Sequence, residues 1–198
     1  MARLNHRDRT VALKIVYYGP GLCGKTTNLV QLHSRYPSGQ RGDMVRLDTE
    51  TERTLFFDYF PARLGKLGGH TVKANFFTVP GQSFYNQTRR IVVEGCDGLV
   101  FVADSDPDRE EANIYALENL NENLLKVGIN PEDLPTVFQW NKRDVPGAIP
   151  IKLLESQLNP RHLPSNSAIA VTGEGVWETQ KNILAATLKH VRGSLGLT

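Results

Sequence analysis

The stretch Val11-Ala12-Leu13-Lys14-Ile15-Val16-Tyr17-Tyr18, followed at once by Gly19-Pro20-Gly21-Leu22-Cys23-Gly24-Lys25-Thr26, decides the fold. The first part is a short, mostly apolar run of the kind that forms a buried strand. The second spells G-x-x-x-x-G-K-[ST], the loop that cradles phosphates. Its glycines allow a tight turn that brings successive backbone N–H groups toward phosphate oxygens. The helix that follows, marked by Leu29, Leu32 and His33, points its partly positive N-terminus at the same anion. The expected phosphate contacts are Gly19, Gly21, Leu22, Cys23, Gly24, Lys25, Thr26 and Thr27, with Lys25 on the β and γ phosphates and Thr26 on Mg²⁺. A nucleoside triphosphate is therefore the expected ligand.

Outward from this loop, short β-rich runs alternate with longer helical patterns. That is the signature of an α/β fold, a mostly parallel central sheet with helices on both faces. Thr54 to Phe60 and Val72 to Val79 read as an antiparallel hairpin around a glycine turn at 65–69. Leu99 to Asp104, Thr136 to Trp140 and Ser167 to Val171 read as buried parallel strands. Asp106-Pro107 is a helix start, and Ile114, Leu117, Leu120 and Leu124 trace the apolar face that follows. The last helix is expected over about Gly175 to Val191. The 198 residues are enough for one domain, with a polar segment 1–10 before it and a frayed tail at 193–198.

Composition narrows the function classes. With 40% hydrophobic and 22% charged residues, and no run near the ~20 apolar residues of a membrane span, the profile is that of a soluble globular protein. No leader or prenylation cysteine is visible, so a cytoplasmic protein without a direct membrane anchor is expected. Cys23 and Cys96 lack the spacing of a disulfide or metal pair. A net charge of +2 with mixed signs gives no footprint for nucleic acid.

Asn141-Lys142-Arg143-Asp144 has the form N-K-x-D at the end of a strand. An ionised carboxylate only accepts hydrogen bonds, and guanine offers two adjacent donors, N1–H and N2–H₂. Asp144 would take both, whereas adenine would leave a buried carboxylate unpaired, a penalty large enough for sharp selectivity. Lys142 would lay its stem along the base, and Asn141 would tie this loop to the phosphate loop. At the last strand end, a backbone N–H near Ala170 and Val171 would reach guanine O6, although small residues there are also ordinary packing.

These motifs, with Thr78-Val79-Pro80-Gly81-Gln82, resemble the small Ras-like GTPases, and more closely the bacterial branch named after the mutual gliding motility protein MglA. Lys14 to Gly21, Glu52 to Asp58 and Val102-Ala103-Asp104-Ser105 carry the branch's spellings. The resemblance covers nearly the whole chain and implies a Ras-like G domain, a GTP/GDP switch using Mg²⁺. It further implies front–rear polarity control in motile bacteria with recruitment to a cell pole. Its implied partners are a dimeric, roadblock-fold GTPase-activating protein of the MglB type, effectors and an exchange factor.

Within that frame Gln82 is the expected water-positioning residue, and Gly81 lets its N–H approach the γ-phosphate. Arg53 would act as an internal arginine finger, or else pair with Glu50 or Glu52 on the surface. Thr54 would ligate Mg²⁺, or else simply start a strand. Thr78 stands where the common Ras pattern has an aspartate, so Asp58 on the neighbouring strand becomes the candidate carboxylate beside the metal. Pro80 stiffens the turn, and slow intrinsic hydrolysis is expected. The segments 37–58 and 81–90 have the polar, glycine-marked composition of switch regions. The aromatic residues Phe56, Phe57, Tyr59, Phe60, Phe84 and Tyr85 would present a partner surface in one state, or else, for about half of them, simply fill the core and cover the sheet surface. Asp104 and Ser105 have helix entry as their physical role. A second class remains open, a guanine-nucleotide-dependent scaffold with negligible hydrolysis, favoured by Thr78 and Pro80.

Overall fold

The structure, a computed structural model, describes residues 3–5, 7–47, 57–81 and 85–195. One eight-stranded sheet forms the middle layer. Its strands are β1 (Arg3–Asn5), β2 (Thr10–Tyr18), β3 (Val45–Leu47), β4 (Phe57–Leu67), β5 (His70–Thr78), β6 (Gly98–Asp104), β7 (Thr136–Asn141) and β8 (Ser165–Ser167). The order is β3-β4-β5-β2-β6-β7-β8, with β1 paired to β2. β2 is central because its side chains from Ile15 to Tyr18 are wholly buried, and it pairs in parallel with β5 on one side and β6 on the other. Parallel strands covered on both faces need continuous apolar runs, and every residue of β6 is buried.

Five α-helices flank the sheet: α1 (Lys25–Arg35), α2 (Asn86–Val93), α3 (Glu110–Lys126), α4 (Ile151–Leu158) and α5 (Val176–Leu195). One core cluster joins α2, α3 and α4 to β6 and β7 through Val93, Leu120, Phe138 and Leu154. The other joins α1 and α5 to β2, β4 and β5 through Leu29, Phe60, Phe76 and Ile183. This is the three-layer α/β fold of a P-loop G domain, with the helices on both faces as expected. Among the described residues no helix is long and apolar enough to cross a membrane.

Several elements differ from the sequence pattern. β4 runs on through Pro61 to Leu67, and the hairpin closes at Gly68-Gly69, both at positive φ, while Gly65 marks a break in the β4–β5 register. Pro61 is tolerated because its carbonyl, and with it the nitrogen of the same residue, faces Gly42 on the outer side; the N–H of Gly42 donates to that carbonyl. β8 is the polar edge run Ser165–Ser167, and the chain then turns, so Val171 is 69% exposed rather than buried in a strand. The nominally apolar face of α3 is rotated. Leu120 and Leu124 are buried, but Ile114 is exposed and Asn113, Asn119 and Asn123 take buried places. Part of the 1–10 segment is strand β1, and part of the 37–58 segment is strand β3, both too short for a pattern to mark.

Candidate nucleotide site

The strand ends bring the motifs to one end of the sheet. A cavity of about 390 Å³ lies between the phosphate loop, Asp58 on β4 and the turn after β5. Gly24, Lys25, Thr26 and Thr27 line it, as does Gly81. Gly24 adopts φ 99° before α1, and a Cβ there would collide with the amide of Asn141. Gly81 packs backbone to backbone on Gly21, so a side chain at 81 would strike the phosphate loop. Gly19 opens the loop, and Leu22 projects from it, 87% exposed with φ 66°.

The Lys25 ammonium is buried and donates to the carbonyls of Gly19 at 3.0 Å and Pro20 at 2.6 Å, with Cys23 Sγ at 3.7 Å. Burial lowers its pKa. A cation already stripped of water gains strongly from an anionic oxygen. Burial likewise raises the Cys23 thiol, and pushes that of Cys96 up to about 12, so both cysteines are packing residues rather than nucleophiles.

On the base side, Asn141 at the end of β7 donates through Nδ2 to the Cys23 carbonyl at 2.7 Å and accepts at Oδ1 from the Ala170 N–H at 2.9 Å. One side chain thus joins the N-K-x-D loop, the phosphate loop and the loop after β8. The Ala170 amide is committed to Asn141 in this arrangement, while the Val171 carbonyl accepts from Gln31 at 3.0 Å. Lys142 has φ 62° and reaches the fully buried Asp104 at 2.6 Å. Asp144 is exposed. The selectivity expected at Asp144 therefore depends on a bound base covering it.

On the opposite side, Asp58 is 5% exposed and its carboxylate gathers three donors. Thr26 Oγ1 donates to it at 2.5 Å, Thr78 Oγ1 donates at 3.1 Å, and Arg46 Nε donates to its other oxygen at 3.0 Å. The Asp58 N–H in turn donates to Thr78 Oγ1 at 2.8 Å. Thr78 therefore stands at one end of a hydroxyl–carboxylate pair that ends on the phosphate-loop threonine. Because the Thr26 hydrogen points at Asp58, its lone pairs are turned away from the carboxylate, an arrangement suited to a hard cation such as Mg²⁺. Among the described residues no cluster of His, Cys, Asp and Glu would hold a metal alone, so such an ion would lean on Thr26 and on phosphate oxygens.

Arg53, Thr54 and Gln82 lie outside the described residues, as do Phe56 and Phe84. Of the candidate partner-surface aromatic residues that are described, only Phe60 is fully in the core, and Tyr85 is half-buried. Phe60 is buried against Phe76, whereas Phe57 and Tyr59 are half-buried on Phe77.

Other residues that brace the site are invisible to motif reading. Arg89 on α2 is 2% exposed and donates to the carbonyls of Pro80 at 2.9 Å and Gly81 at 2.6 Å, and to Asn119 Oδ1 at 2.9 Å. It clamps the turn that carries Gly81. Asn119 and Asn123 are spaced i, i+4 on α3 and bond the Tyr18 hydroxyl and Asn86, a spacing that was the one available signal. Asp104, given only helix entry from sequence, accepts from the Asp106 N–H at 3.1 Å as well as from Lys142.

No protein-family model matches the chain. Mutual gliding-motility protein MglA of Myxococcus xanthus (strain DK1622) is 44% identical over 192 residues, which span 97% of this chain and 98% of that protein. The chain belongs to the MglA family. ADP-ribosylation factor-like protein 4C of Homo sapiens is 28% identical over 188 residues, 90% of this chain and 88% of that protein, and the Mus musculus protein matches equally. MglA-family membership makes the chain a Ras-like small GTPase. Guanine nucleotides and Mg²⁺ are the ligands such proteins use in general, and the Thr26–Asp58 pair and the buried Lys25 are suited to them.

Proposed function

We propose that this MglA-family chain works as a single G domain that hydrolyses GTP slowly to GDP and changes partners with the nucleotide, and so controls cell polarity and motility. The observation that carries the reading is the bond from Asn141 to the Cys23 carbonyl, which makes the guanine motif and the phosphate loop parts of one site. Asn141, Lys142 and Asp144 would hold the base, aided by the backbone near Ala170 and Val171. Gly19 to Thr27 and Gly81 would hold the phosphates. Thr26 and Thr54 would hold Mg²⁺, with Asp58 orienting the Thr26 hydroxyl and Thr78 orienting Asp58. When bound, the ion would neutralise charge between the β and γ phosphates. Gln82 would orient the attacking water and Arg53 would neutralise charge developing on the phosphoryl oxygens.

The proposed regulator is a dimeric roadblock-fold activating protein, joined by effectors, an exchange factor and recruitment to a cell pole. The test is retention of such a partner by protein loaded with a non-hydrolysable GTP analogue or with GDP, followed by turnover measurements. Retention in the GTP state alone, with hydrolysis that accelerates and is lost in Arg53→Ala or Gln82→Leu, is the expected result. No turnover with any partner would favour the scaffold reading instead, for which Thr78 and Pro80 are the features in the chain.

A further inference from the structure

The phosphate loop contains a conformation that its own sequence does not explain. Leu22 is not glycine, yet it sits at φ 66°, a left-handed conformation that branched and bulky side chains resist. Its side chain is 87% exposed, so packing around the leucine does not hold it there. The restraint comes from the preceding peptide. Arg109, in the turn that leads into α3, donates from Nη2 to the Gly21 carbonyl at 2.7 Å. Its Nε lies 4.0 Å from Asp104 Oδ2, the same oxygen that Lys142 Nζ meets at 2.6 Å.

A trans peptide is planar, and its carbonyl and N–H point in opposite directions. Fixing the Gly21 carbonyl therefore fixes where the Leu22 N–H points. That amide belongs to the set expected to face phosphate, so a rotation of this one peptide would turn a donor away from the anion and present a carbonyl in its place. Asp104 supplies the other half of the device. Its carboxylate is fully buried at the end of β6, beneath the phosphate loop, where a lone negative charge would oppose phosphate binding. Lys142 and Arg109 face it from the base loop and from the α3 entry, so the trio carries a net positive charge and links base loop to phosphate loop.

We propose that Arg109 is a positioning residue of the nucleotide site, which, held by Asp104, fixes the Gly21–Leu22 peptide so that its N–H faces the bound phosphates. This rests on the proposed guanine-nucleotide site and adds residues that the motifs do not include. Arg109 is itself partly exposed, at 34% of its side chain, so replacing it leaves the core intact.

The test measures release of a fluorescent GDP analogue from the full chain, with thermal unfolding of the same samples. Loss of a charged donor on the loop is expected to make Arg109→Ala release nucleotide about tenfold faster. Arg109→Lys, which keeps the charge but not the planar fork, is expected to recover part of that loss at an unchanged melting temperature. Release at the unaltered rate in Arg109→Ala would overturn the proposal, and so would fast release accompanied by an equal loss of thermal stability in both variants. An unaltered protein that binds no guanine nucleotide would instead sink the proposed function, and this inference with it.

Discussion

The two sides of the nucleotide cavity are built by different means. On the base side, Asn141 is held at both ends of its amide by backbone groups of two other loops, and Asn141 O also accepts from the Ser105 N–H. Backbone partners at strand ends are rigid, so this side has one geometry. On the opposite side, Asp58 is held by two hydroxyls and an arginine whose side chain is 67% exposed. Hydroxyls rotate and an exposed arginine exchanges readily with water, so this side accepts rearrangement at small cost. The contrast separates affinity from state. GDP and GTP would meet the base side alike, whereas only the side near Asp58 and Gly81 would register the terminal phosphate.

Three substitutions sharpen or break this contrast. Asn141→Ala strands the Cys23 carbonyl and the Ala170 amide at once, and is expected to weaken GDP and GTP equally, by about a hundredfold. Equilibrium titration with each nucleotide checks it, and unequal losses would contradict the division of labour. Asp58→Ala removes the carboxylate that orients Thr26, and should weaken Mg²⁺-dependent GTP binding by about tenfold while affecting GDP less. A magnesium titration at fixed nucleotide reads this directly, and unchanged Mg²⁺ dependence would end the role given to Asp58. Arg46→Ala takes away only the exposed partner of the same carboxylate, so a change of no more than about twofold is expected in the same titration. A larger effect would show that the Asp58 side is as firmly fixed as the base side.

Much of this was legible in the residues, for identifiable reasons. The phosphate loop and N-K-x-D are legible because each is a short run of consecutive residues, the first marked by the glycines its turn requires and the second by its side-chain spelling. The buried strands β2, β6 and β7 are legible because burial on both faces demands unbroken apolar runs. The Asp58 hypothesis needed one further step, the missing carboxylate at Thr78, and the structure places Asp58 on both threonines. What escaped depends on contacts between residues distant in the chain. Arg89 lies in an ordinary polar stretch, and only the fold brings it under Pro80 and Gly81. Arg109 and Gly21 are 88 residues apart. Strand β8 was misplaced because the apolar residues 168–171 look more strand-like than the polar edge Ser165–Ser167. On α3, apolar periodicity predicted a leucine seam and overlooked asparagines that bury hydrogen-bonded amides.

Those asparagines give α3 a mechanical character of its own. Asn113 is bonded in both directions to the backbone of Asp104, while Asn119 and Asn123 grip Tyr18, Asn86 and, through Asn119, Arg89. A greasy seam is nearly as comfortable one turn further along, about 5.4 Å away. A row of amides is not, because a slip would leave each of them facing carbon. The helix behaves as a keyed shaft with a single seat. A protein pressing on its outward face, at Tyr115, would have to tilt the shaft and its seat together, carrying the end of β6 and the turn at Gly81 with it.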